Sequence, residues 1–151
     1  TAADFLLTGK NIALRKLRFS LINPFSINFK AFLLSDNGYD VWLGNSRGND
    51  HGRRHKTLSE QSKKFWDFSW HEIGFFDLPA MIDYMLQATG SSNTFYVGHS
   101  QGTTALMVLL STQPKYHEKI IQGHLLAPAI FTKNFHPFLK LFVKDFEVNI
   151  N

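Results

Sequence analysis

A chain of 151 residues carries one domain with a real core and is too short for two ordinary ones. Its 44% hydrophobic and 19% charged residues exclude a disordered chain, and no apolar run approaches the ~18 residues of a membrane helix. A formal charge of +4 without a basic stripe gives no footprint for nucleic acid, and the absence of cysteine excludes disulfides, thiolate metal sites and a cysteine nucleophile.

The text begins at Thr1 with no charged-then-apolar leader, so either a segment has been removed or this is a piece of a longer protein. "FKAFLLSDNG" (Phe29–Gly38) reads as a helix that exits at Asn37-Gly38. "YDVWLGN" (Tyr39–Asn45) is a β-prone run, and "SRGNDHGRRHKT" after it is a polar, glycine-bearing loop. "LSEQSKKFWDFSWHEIG" is helical in part. In "DLPAMIDYMLQATG", Asp77 is the expected N-cap and Pro79 lies in the first turn, where its missing N–H costs little. Leu78, Met81, Ile82, Met85 and Leu86 recur at helical spacing, and Gly90 closes the helix. "TFYVG" (Thr94–Gly98) is a buried strand, and "TTALMVLLST" (Thr103–Thr112) a helix apolar on nearly all sides. "KIIQGHLLAPA" (Lys119–Ala129) supplies a third strand. Strands alternating with helices predict an α/β fold, a parallel sheet with helices on both faces. There is no internal repeat and no low-complexity tract.

Between the second strand and its helix stands Gly98-His99-Ser100-Gln101-Gly102, a G-x-S-x-G pattern. Such a serine sits on a strained strand-to-helix turn, and flanking small residues let the turn close. Ser100 is the candidate nucleophile, and the backbone N–H of Gln101 is a candidate oxyanion donor. The bare pattern arises by chance in on the order of 5% of chains this long. An apolar strand before it and an apolar helix after it make an inert turn serine the lesser alternative. His99 adjoins the serine, but a base must approach from across the site, so packing is its expected role.

"GYDVWLGNSRGN" (Gly38–Asn49), "FWDFSWHEIGFFDLPAMIDY" (Phe65–Tyr84) and "YVGHSQGTT" (Tyr96–Thr104) resemble the acid lipase family. That group includes lysosomal acid lipase and gastric lipases, within the α/β-hydrolase superfamily. The resemblance runs from about residue 31 to 129 and touches "AADFLLTGKN" (Ala2–Asn11). It implies a single partial α/β-hydrolase domain over residues 1–151, with early and late strands and the cap missing. It further implies a lipase cleaving hydrophobic esters such as triacylglycerols or cholesteryl esters, through an acyl-enzyme on Ser100. No cofactor or metal is expected. The implied partner is neutral lipid, with a lipid–water interface as a further expectation, and the implied location is secreted or lysosomal.

The chain departs from the family in three places. Its triad order is serine, acid, histidine. After Ser100 come the histidines His117, His124 and His136 and the acids Glu118, Asp145 and Glu147; only Glu118 with His136 is a widely spaced pair in that order. Neither follows a recognisable later strand, so the nucleophile is expected here without its base. The family's His-Gly oxyanion segment would precede Thr1. Residues 14–30, "LRKLRFSLINPFSINFK", match nothing in the family and read as a surface loop, extraneous sequence or an interfacial lipid-binding insertion. The alternative to a lipase is therefore a truncated, inactive lipase-like chain that binds lipid or a partner chain.

The remaining features have two readings each. Arg47 contacts a polar substrate group or fixes its loop in an ion pair. Arg53, Arg54, His55 and Lys56 are a solvated surface or an anionic-lipid contact. His71-Glu72 begins H-E-x-x-H, but position 75 is Phe, so the zinc reading fails. Phe65, Trp66, Phe68, Trp70, Phe75 and Phe76 suit a packed core, with one or two facing an acyl chain.

Overall fold

Five strands form one sheet in the order β1-β3-β2-β4-β5 in a computed structural model that describes residues 10–12, 18–22 and 28–130. They are β1 (Lys10–Ile12), β2 (Arg18–Ile22), β3 (Asp40–Gly44), β4 (Thr94–His99) and β5 (Ile120–Leu126). Only β1 runs antiparallel, against β3; the other three pairings are parallel. The helices are α1 (Asn28–Asp36), α2 (Trp70–Glu72), α3 (Leu78–Thr89) and α4 (Gln101–Thr112). The largely parallel sheet with its helices is the α/β fold expected of the alternating pattern, and it fits the partial α/β-hydrolase core that the resemblance implies.

Period-2 alternation in the strands assigns each face its own core. Tyr96 of β4 packs with α3 and α4 through Leu78, Ile82, Met85, Leu106 and Leu109, all buried. Val41 and Val97 point the other way, against Ala31 of α1. Each fully buried side chain of this size contributes roughly 1.5–3 kcal/mol. Among the described residues no helix is long and apolar enough to cross a membrane.

Gly38 and Gly90, at φ +86° and +65°, end α1 and α3 as their positions predict. Asp77 corrects the expected cap. Its backbone is helical (φ −74°, ψ −48°) and its side chain makes no capping bond, because the helix enters from upstream through a π-helical turn at Ile73–Asp77. The true start is Ser69, in a capping box: its hydroxyl accepts from the backbone of His71, and Glu72 accepts from the Ser69 N–H at 2.7 Å. The π-turn meets α4 at Gly74, where a Cβ would lie 2.7 Å from the Ala105 carbonyl oxygen. Gln113, just past α4, donates to the Phe75 carbonyl at 2.7 Å.

Residues 18–22 correct the loop reading of part of 14–30. "RFSLI" lies between β3 and β4, parallel to both, with Phe19 opposite Val41 and Phe95. Its β-branched and aromatic content suits a strand, but no local signal shows that it pairs between strands far away in sequence. The aromatic cluster also differs from expectation. Phe65 is buried, whereas Trp66 and Trp70 are 45% and 41% exposed.

Candidate active site

Ser100 lies between the end of β4 and the start of α4, with φ 50° and ψ −115°. A non-glycine residue at positive φ is sterically costly and persists only where its surroundings over-determine it. Here they do, because strand passes into helix with one residue between them. A Cβ on Gly98 would lie 2.7 Å from the Tyr96 ring and 2.8 Å from the Gly102 carbonyl carbon, so no side chain fits there. Buried Tyr96 donates its hydroxyl to the Gly102 carbonyl at 2.6 Å. Burial pushes that phenol above the ordinary tyrosine range, keeping it a protonated donor.

The backbone of Ser100 is tied on both sides. Its N–H donates to the Leu126 carbonyl at 2.9 Å, linking the turn to the end of β5. Its carbonyl accepts from the Thr103 hydroxyl at 2.6 Å and from the Thr103 N–H at 2.9 Å. Gln101 is the first residue of α4, and its N–H belongs to the first-turn donors that lie outside the helical ladder. Chemically, the turn offers a hydroxyl on rigid backbone at a helix N-terminus, where developing negative charge is favoured.

The histidines are not gathered here among the described residues. His99 is half-buried as the last residue of β4. His124 lies within β5, opposite Val97. His117 lies beyond the far end of α4, with its Nε2 2.9 Å from the Leu110 carbonyl oxygen, and Glu118 follows it before β5 begins. Parallel β4 and β5 put that segment at the end of the sheet opposite Ser100. His136, Asp145 and Glu147 lie outside the described residues.

Arg47 resolves to the ion pair. It meets Asp77 through Nε, Nη2 and its own backbone N–H, with both groups buried. Phe68 and Phe76 flank the guanidinium at 5.7 and 5.9 Å. The contact fixes the loop after β3 to the start of α3. In the basic cluster Arg53 pairs with exposed Asp50, while His55 accepts from the Thr57 and Leu58 N–H groups and so shapes its own turn. His71 stacks on Phe75, and Glu72 is engaged by the cap. A cleft lined by Asp83, Leu86, Gln87 and Lys119 opens at the end of the strands opposite Ser100.

Sequence reasoning missed Tyr96, Thr103 and Asp77 as the groups that hold the site. A Ser-x-x-Glu spacing was available for the Ser69 cap, but Tyr96 and Asp77 act through contacts that leave no local mark.

The family model described as alpha/beta hydrolase fold matches residues 25–146. The chain belongs to this family. Within it the chain is acid-lipase-like. It is 44% identical over 142 residues to Lipase 1 of Drosophila melanogaster, covering 93% of this chain and 29% of that one. It is 50% identical over 106 residues to Lipase member K of Mus musculus, covering 70% of this chain and 27% of that one. The chain thus spans under a third of each relative's length. Among solved structures, Est1E from Butyrivibrio proteoclasticus, with bound ferulic acid, superposes at a TM-score of 0.64 and 18% identity. That match covers 86% of this chain and 52% of Est1E, and it speaks to the fold.

Proposed function

We propose that the protein is a carboxylic ester hydrolase, a lipase, with Ser100 as its nucleophile. The observation that carries this is the left-handed backbone of Ser100 on a turn with no room for side chains at its flank. The lipase names of the relatives support the reaction class. Ser100 Oγ attacks the ester carbonyl while a base takes its proton. The tetrahedral oxyanion accepts from the Gln101 N–H, the alcohol leaves, and water hydrolyses the acyl-enzyme. Hydrophobic esters such as triacylglycerols or cholesteryl esters are the proposed substrates, and a secreted or lysosomal location is proposed with them.

Ser100→Ala in the full-length natural protein tests the assignment. Hydrolysis of p-nitrophenyl esters should fall by on the order of 10⁶-fold with folding nearly intact. Wild-type turnover in that variant would refute the nucleophile. The second reading is a chain that binds lipid or a partner without hydrolysis. Absent turnover in the natural protein, with retained binding to triacylglycerol emulsions, would establish it instead.

A further inference from the structure

A second strained residue stands beside the strand-to-helix elbow at Ser100. Ala127, just past β5, has φ 47°, and with Ser100 it makes the two non-glycine residues at positive φ among those described. The segment from Leu126 to Ala129 is bound to the elbow by a set of short contacts. The Ser100 N–H donates to the Leu126 carbonyl at 2.9 Å. The Ala129 N–H donates to Thr103 Oγ1 at 2.9 Å, and that hydroxyl donates onward to the Ser100 carbonyl at 2.6 Å. Thr104 Oγ1 donates to the Ala129 carbonyl at 2.6 Å. Both main-chain polar groups of Ser100 are therefore coupled to this one segment, directly on one side and through buried Thr103 on the other.

The segment has a definite chemistry. "LLAPAI", Leu125 to Ile130, has no polar side chain, yet Ala127 and Pro128 are exposed. An exposed apolar turn, tied by hydrogen bonds to the main chain of the serine turn, complements a hydrocarbon attached to the reacting carbonyl and has no polar side chain to offer a polar substrate. We propose that the Ala127–Ala129 turn is a hydrocarbon-binding wall of the Ser100 site, with Thr103 and Thr104 as the residues that position it. This rests on Ser100 being the nucleophile. Thr103 and Thr104 act through the turn rather than on substrate. Their loss should therefore change discrimination between hydrocarbon lengths, not merely lower turnover.

The test compares kcat/KM for p-nitrophenyl acetate and decanoate in the full-length protein. Thr104→Val keeps the side-chain shape and removes the bond to Ala129. It should lower kcat/KM for decanoate about tenfold more than for acetate, the scale of a few methylene contacts. Thr104→Ser, which keeps the hydroxyl, should hold the wild-type ratio. Should Thr104→Val fold poorly, Ala127→Gly removes the left-handed strain while loosening the turn, and the same selective loss is expected. An unchanged ratio in both variants, with Ser100→Ala inactive, overturns the wall and leaves the nucleophile standing. An active Ser100→Ala protein overturns both.

Discussion

At the scale of single residues, the site depends on where atoms are left out. The elbow needs a residue without a side chain at position 98, because the Tyr96 ring and the Gly102 backbone occupy the space where a Cβ would stand. Overpacking of this kind costs typically 1–3 kcal/mol. Gly98→Ala should lower the urea midpoint accordingly and reduce esterase activity as well, since relief would come by displacing the serine backbone. A variant with wild-type stability and activity would show that the turn relaxes freely. The Tyr96 hydroxyl works in the same direction, drawing the Gly102 carbonyl toward β4 and holding the first turn of α4 in place.

At the scale of elements, two polar contacts decide how the segment from the first strand-end loop to α3 enters the fold. Asp77 is fully buried against Arg47, so removing one charge strands the other. Asp77→Asn should cost about 3–5 kcal/mol in denaturant unfolding of the full-length protein. A loss below 1 kcal/mol would mean that the guanidinium finds another partner. The Ser69–Glu72 cap carries a pH signature. Partial burial of Glu72 works to raise its pKa. The Ser69 backbone and hydroxyl, the Glu72 backbone N–H and the neighbouring His71 outweigh this, and the carboxyl titrates below its ordinary 4.5. A depressed folded value means the cap's contribution is fully present above about 4.5 and is lost as pH falls through the lower folded value. Ser69→Ala should flatten the fall in melting temperature below pH 4.5, and an unchanged slope would remove Glu72 from that role.

At the scale of the whole molecule, the described sheet ends at β5, where Ile121 is 55% exposed, and α1 shows Phe32 and Leu33 to water. Sheet edges and exposed apolar side chains are templates for pairing with another chain. The isolated 151-residue chain should therefore self-associate in size-exclusion chromatography. A monodisperse species with one cooperative unfolding transition would contradict this. The match to Lipase 1 takes in 93% of this chain and 29% of that protein.

The sequence by itself determined the repeating strand–helix pattern from Asp40 to Leu126, the helix ends at Gly38 and Gly90, and the placement of Ser100 between two glycines. Each of these is a local signal: a period, a turn residue, a spacing. The tertiary structure alone decided that Arg18–Ile22 enters the sheet between β3 and β4, that Asp77 serves Arg47 rather than a helix end, and that Thr103 links Ser100 to Ala129. These pairings join residues 19 and 95, 47 and 77, and 103 and 129. No periodicity reports such pairings, because which distant groups meet is set by how the sheet closes and where buried polar atoms find partners.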